Sequence, residues 1–235
     1  MIELWYWPGI PGRGEFVRLA LEAGGIPYRD VAIGAGDDGM AKLAADLERP
    51  RDTPPFAPPY LVVDGMTIAQ TANILLYLGE THALAPVDLA GRLWISQCQL
   101  TIADMVAEAH DTHHPVAAGA YYEEQKAEAA RRAEDFRDAR MPKFLRHFER
   151  ALERRGPWLA GGAWSYADLS LFQLVEGLRF AFSRRMATLE RDVPKLIALH
   201  DAVAALPELE DYLASDRRQP FSQGIFRHYA ELDGD

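Results

Sequence analysis

Pro58-Pro59-Tyr60-Leu61-Val62-Val63-Asp64-Gly65-Met66-Thr67-Ile68-Ala69-Gln70-Thr71-Ala72-Asn73-Ile74 carries the reading of this chain. Tyr60 to Val63 is a short apolar run rich in β-branched residues, the composition of a buried strand. Asp64-Gly65 is a two-residue hairpin signal, since both residues tolerate the positive φ that such turns require. Met66 to Ile68 is then the returning strand. From Thr71 to Glu80 the period lengthens, with Ala72, Leu75, Leu76 and Leu78 on one side of a helix. Working back toward the start, Ile2, Leu4 and Tyr6 alternate with Glu3, Trp5 and Trp7 as in a strand. Pro8, Gly9, Pro11 and Gly12 then turn the chain. Phe16, Val17, Leu19, Ala20 and Leu21 recur at helical spacing until Gly24-Gly25 stops them. Tyr28 to Ile33 reads as a second strand, and a short helix is expected near 40–48. The order is β-α-β-(α)-β-β-α.

After His82 the character changes. Residues 82–89 read as a linker between a first domain, 1–81, and a second, 90–235. Helices are expected at about 90–118, 121–155, 165–182, 194–205 and 207–214, with Pro142 kinking the second. Ser165-Tyr166-Ala167-Asp168 is a capping box at the third, in which Ser165 caps the start and Asp168 reaches back.

Composition excludes several classes. The net charge of −10 disfavours binding to nucleic-acid phosphates or an anionic membrane. The single cysteine, Cys98, excludes an internal disulfide and a cysteine-based metal cage. There is no run of 18 apolar residues to span a bilayer. The opening MIELWYWPGIPGR lacks a basic region followed by an apolar stretch, so no signal peptide and a cytoplasmic location are expected.

Four stretches together resemble the cytosolic glutathione transferase family. Leu4-Trp5-Tyr6-Trp7-Pro8 through Gly12-Arg13-Gly14 to Arg18 is similar to the opening of its tyrosine-type classes. Pro58-Pro59-Tyr60-Leu61 with Asp64-Gly65 resembles its cis-proline segment, Ile68 to Ile74 its glutamine-serine motif, and Trp164 to Leu171 its helical capping box. The resemblance implies a thioredoxin-like N-terminal domain, an all-helical C-terminal domain and a homodimer. It further implies transfer of the glutathione thiolate to a small hydrophobic electrophile. A glutathione-dependent peroxidase, isomerase or lyase on the same site is the alternative within that chemistry; a binding protein that kept the fold is the alternative outside it.

The family supplies its activating hydroxyl from Tyr or Ser, or uses a Cys nucleophile. No Ser precedes Ser96 here, which leaves Tyr6 as the residue stabilising the thiolate. Arg13 is the matching arginine for the glycyl carboxylate, and Arg18 is expected to make an internal ion pair. Pro59 implies a cis bond that presents the backbone of Pro58 to the cysteinyl part of glutathione. Pro58 has no N–H, so only its carbonyl can pair there. Gln70 and Thr71 match the residues that receive the γ-glutamyl carboxylate, with Thr71 able to cap the following helix. The loop after Tyr6 departs from the family by one extra residue and by Pro11 in place of an arginine. Glu108 corresponds to an acid that reaches the partner subunit's glutathione amine. Met105, His110, Asp111 and His114 are expected along the second-substrate cleft. His110 and His114 are four apart and would share a helix face, as in helical zinc sites. Without the glutamate of H-E-x-x-H or a third ligand, no metal is expected.

Overall fold

A computed structural model describes residues 1–234. Four strands, β1 (Ile2–Trp5), β2 (Tyr28–Asp30), β3 (Tyr60–Val63) and β4 (Met66–Ala69), form one sheet in the order β2-β1-β3-β4. β1 and β2 are parallel, joined by the crossover helix α1 (Gly14–Ala23). β3 runs antiparallel to both β1 and β4. Asp64 and Gly65 take the positive φ values, 48° and 79°, that the tight β3–β4 hairpin demands. α1 and α4 (Thr71–Thr81) pack on each other, and Phe16, Leu19, Leu75 and Leu78 are buried with Leu4 and Leu61 of the sheet. This is the thioredoxin-like arrangement, and an all-helical domain follows it.

Strand β2 ends three residues earlier than its apolar run suggests. The Asp30 carboxylate accepts the Ile33 N–H at 3.5 Å and caps a short helix, α2 (Val31–Gly34). A helix α3 (Gly39–Leu47) precedes the proline-rich approach to β3.

Helix α5 (Leu89–Asp111) stops seven residues short of 118. Pro115 disfavours helical backbone at His114, and the Thr112 hydroxyl caps the Ala109 carbonyl at 2.7 Å. The expected helix over 121–155 is instead interrupted. α6 (Lys126–Asp135) passes through one wide turn at Phe136–Arg140 into α7 (Met141–Arg155). Pro142, which has no N–H to return to the preceding turn, lies just past the wide turn.

α8 (Tyr166–Ala181) is largely buried and packs on α5 and α1. Its capping box forms: Asp168 accepts the N–H groups of Ser165 and Leu159, each at 2.8 Å. The Ser165 hydroxyl also donates to Asp168, at 2.6 Å. α9 (Ser183–Leu189), α10 (Pro194–Ala204) and α11 (Pro207–Leu213) follow.

The tail then returns along the helical domain to a last turn, α12 (Ala230–Asp233). Phe226 lies so close to Gly177 of α8 that a Cβ there would meet its ring at 2.2 Å. The Asp233 carboxylate accepts the N–H of Arg184 at 2.9 Å and of Arg185 at 3.2 Å, capping α9 from a distance. No helix among the described residues is long and apolar enough to cross a membrane.

Candidate functional site

The site begins where β4 ends. Gln70 adopts φ 69°, unusual for a residue with a side chain, and turns the chain directly into α4. Thr71 is the first helical residue and does not act as the cap. Its Oγ1 is buried with no hydrogen-bond partner, beside the free N–H groups of the helix N-terminus. Above it lies a cavity of about 310 Å³ whose walls come from both domains: Arg13 and Phe16 from the first helix and the loop before it, Gln70 to Asn73 from α4, and Gln99, Leu100 and Ala103 from α5. A cation, an unpartnered hydroxyl and a helix N-terminus in one concavity favour a carboxylate.

Of the sequence-predicted residues, Arg13, Gln70 and Thr71 are therefore brought together. Tyr6 sits behind them, 4% exposed. Its hydroxyl oxygen accepts the Arg13 N–H at 2.8 Å, which leaves the hydroxyl proton free to donate elsewhere. Burial pushes its pKa up, against the lowering effect of the Arg13 N–H and of the Arg13 and Arg18 charges. Gly12 makes this approach possible: with φ 42°, a Cβ there would stand 2.0 Å from the Tyr6 oxygen. Arg18 makes the expected internal pair, with Asp30 at 2.7 Å, and its guanidinium lies 5.7 Å from the Tyr6 ring. Pro58 and Pro59 are joined by a cis peptide bond, and both are buried.

The other expected residues lie outside this cavity. Met105 has no exposed surface and belongs to the core rather than to a cleft. Glu108 is held within its own chain by Arg140, at 2.6 Å and 2.9 Å, and by Arg132 at 3.2 Å. These hydrogen bonds and charges hold its carboxyl below the usual range. Because α5 ends at Asp111, His114 leaves the helix and does not share a face with His110. Even so, the two rings stack at 5.1 Å, with His113 set edge-on to both. Burial lowers the pKa of all three, that of His113 to about 3. His113 Nε2 donates to the Ile225 carbonyl of the tail at 2.9 Å. Asp111 is exposed, 3.7 Å from the His110 Nδ1. No group of three or more His, Cys, Asp or Glu among the described residues is arranged to hold a metal.

Sequence reasoning missed Gln99. The signal was present: it lies between Ile95, Ile102 and Val106 at helical spacing, a polar residue on an otherwise apolar stripe.

A cis-proline strand and a helix N-terminus on a small mixed sheet, closed over by a helical domain, define a thioredoxin-like protein with a cavity between the sheet and the helical domain. Residues 110–216 match the family model described as glutathione S-transferase, C-terminal domain. The glutathione S-transferase of Plasmodium falciparum (isolate 3D7) is 22% identical over 228 residues, covering 94% of this chain and 98% of that one. Glutathione S-transferase A3 of Mus musculus is 28% identical over 213 residues, 89% of this chain and 88% of that one. Among solved structures, prostaglandin synthase D of Nilaparvata lugens shares the fold with a TM-score of 0.72 at 19% identity, covering 94% of this chain and 100% of that one. The helical domain thus matches a glutathione S-transferase family model, and the chain is similar over most of its length to glutathione S-transferase enzymes.

Proposed function

We propose that this protein is a tyrosine-type glutathione transferase that conjugates the glutathione thiolate to small hydrophobic electrophiles. The observation that carries the reading is the buried, unpartnered hydroxyl of Thr71 at the start of α4, a residue that lines one cavity together with Arg13. Thr71 and the N–H groups behind it take the γ-glutamyl carboxylate. Gln70 orients that head, and Arg13 neutralises a carboxylate of the same ligand. The Pro58 carbonyl accepts the cysteinyl N–H. Tyr6 donates its free hydroxyl proton to the sulfur. A free thiol with a pKa of about 8.5 is a few per cent ionised at pH 7, and lowering it by about two units takes about 2.7 kcal/mol. One desolvated, charge-assisted hydrogen bond supplies most of that. The thiolate then attacks an electrophile held toward His110.

The reading includes residence in the cytoplasm, where thiols stay reduced. It also includes a homodimer. Phe56 at 94%, Leu93 at 61% and Leu100 at 55% are large apolar side chains left in water, and Leu100 stands at the cavity wall. Covering them with a second copy removes that surface.

Titration calorimetry with glutathione, paired with conjugation of a chlorodinitrobenzene, tests the reading. Binding with turnover supports it. Binding without conjugation but with hydroperoxide reduction identifies the peroxidase instead. Binding with no chemistry of either kind identifies a binding protein, and absence of binding overturns the reading.

A further inference from the structure

Resting on the reading of Tyr6 as donor to the thiolate, we propose that Glu15 is a positioning residue that acts through Arg18 and sets the acidity of Tyr6 and of the thiol beside it. Glu15 does not line the cavity and has no exposed surface. Arg18, one turn further along α1, is 1% exposed, and its guanidinium lies 5.7 Å from the centre of the Tyr6 ring. That cation is divided between two carboxylates. Asp30, at the end of β2, accepts from its Nε at 2.7 Å, and Glu15 accepts from its Nη1 at 3.5 Å. The same Nη1 reaches the Pro11 carbonyl of the loop after Tyr6 at 3.5 Å. Glu15 is in turn faced by two groups from the helical domain. The Tyr212 hydroxyl of α11 donates to both carboxylate oxygens at 2.9 Å, and Arg218 of the tail stands 3.9 Å away. Glu22, further along α1, is turned to Tyr28 and Arg217 and belongs to a separate cluster.

A buried ion pair stabilises a fold less than apolar packing of the same volume, and two carboxylates around one guanidinium leave an excess negative charge. That excess matters to a neighbour that must lose a proton. An unshared Arg18 would favour the anionic forms of the Tyr6 oxygen and of the thiol, and each carboxylate on it offsets part of that effect. Asp30 is also committed as the cap of α2. Glu15 is the adjustable member, because Tyr212 and Arg218 temper its charge and both belong to the helical domain. Two guanidinium groups and a donated hydroxyl around one carboxyl favour its ionised form, against the burial that raises its pKa.

The test titrates Tyr6 in the full chain without ligand, using isotope-labelled tyrosine and assigning the Tyr6 resonance by its absence in Tyr6→Phe. One unit charge shifts the pKa of another group by about one unit across about 10 Å at an effective dielectric near 20. Glu15→Gln keeps the shape and an acceptor for Tyr212, and should lower the Tyr6 pKa by about one unit. Arg218→Met removes a cation that tempers Glu15, and should raise it by about half a unit. Loosened packing would move both variants the same way, so opposite signs are an outcome that a merely structural role does not produce. An unmoved Tyr6 in Glu15→Gln, or shifts of the same sign in both variants, overturns the inference and leaves the tyrosine-type reading standing. If Glu15→Gln does not fold, Arg218→Met decides alone: a raised Tyr6 pKa supports the inference and an unmoved one overturns it. The thiol of bound glutathione, followed by its ultraviolet absorbance, should shift with Tyr6 in each variant. A Tyr6 that shifts as expected beside a thiol that does not move supports the coupling of Glu15 to Tyr6 and overturns donation to the thiol. The Tyr6 titration needs no glutathione, so absence of glutathione binding overturns only the glutathione reading.

Discussion

Tyr6→Phe separates a chemical role from a structural one, because the single oxygen it removes does two jobs. The hydroxyl oxygen accepts the Arg13 N–H at 2.8 Å, and its proton is left over for the thiol. Deleting the oxygen orphans a backbone donor at the entrance to α1, a loss of about 1–3 kcal/mol. In a chain of this length that is a fall of several degrees in melting temperature. The second effect is on the ligand. A charge-assisted hydrogen bond of about 1.5–3 kcal/mol to the thiolate vanishes, so the bound thiol should titrate about 1–2 pH units higher. Glutathione affinity should barely change, since Arg13, Gln70 and Thr71 remain. Ultraviolet absorbance of the bound thiolate against pH reads the chemical effect, and a thermal melt reads the structural one. A variant that melts lower but whose bound thiol titrates as before refutes thiolate stabilisation by Tyr6 and leaves it a packed support for the Arg13 turn.

Three further outcomes follow from buried groups. Asp168→Ala leaves three donors without an acceptor and should destabilise by on the order of 3 kcal/mol in urea melts; a change under about 1 kcal/mol would show that water replaces the box. Burial raises the Asp168 pKa from 3.8 to about 6, so its contribution is fully present below 3.8 and lost as pH rises through 6. The margin of the wild type over the non-titrating Asp168→Asn should therefore shrink by about 1 kcal/mol from pH 5 to pH 7. His113 has the opposite sign: burial lowers its pKa from 6.5 to about 3, so its contribution is complete above 6.5 and lost as pH falls. His113→Gln keeps a donor for the Ile225 carbonyl and should remove about 2 kcal/mol of the wild type's loss between pH 7 and pH 5, a flattening that equilibrium melts across that range would detect or disprove. Phe226→Ala empties the space against Gly177 and should cost about 3–5 kcal/mol; unchanged stability would mean that the tail is not an anchor.

The segment from Pro58 to Thr81 was legible because each signal there is local. Period-two apolar residues, an Asp-Gly turn and a switch to helical spacing agree with one another, and agreement across levels marks a segment whose fold is decided within itself. The capping box was legible for the same reason: Ser165 and Asp168 are three residues apart, and so are their bonds. What failed to read was set at longer range or by a single residue's veto. Pro115 ends α5 early and carries His114 off the helix, although its spacing from His110 is helical. α9, where no helix was expected, is capped by Asp233, which no local pattern announces. In the site, Arg13, Gln70 and Thr71 were visible because motif positions carry them. Gln99 was not, since a polar residue on an apolar stripe becomes informative only once the cavity beneath it is known. The surroundings of Glu108 were hidden for a related reason. An acid at a helix position says nothing of the Arg132 and Arg140 that occupy it, one from α6 and one from the wide turn before α7.

Helix α1 ties these parts into one device. Its buried Glu15 accepts the Tyr212 hydroxyl of α11, at 2.9 Å to each carboxylate oxygen, and lies beside Arg18. Burial raises the Glu15 pKa against the pull of Arg18 and of the tail's Arg218. The same helix begins at Arg13, whose N–H fixes Tyr6, and carries the Arg18 guanidinium beneath the Tyr6 ring. The tail reaches the adjoining loop as well: Gln219 accepts the Gly9 N–H at 3.1 Å, and Gly224 lies against Ile10. Residues 217–234 therefore touch both domains. The aromatic residues bind the segment to the helical domain, and the anchored backbone in turn holds the loop beside Tyr6. A cavity with one wall on each domain keeps its shape only if the domains are locked together. Here the lock is made of buried ionic and hydroxyl groups on the helix that also positions the site, and breaking such bonds one partner at a time is costly. The helical domain therefore does more than cap the sheet: through Tyr212 and the tail it holds α1 and the loop that carry Arg13 beside Tyr6.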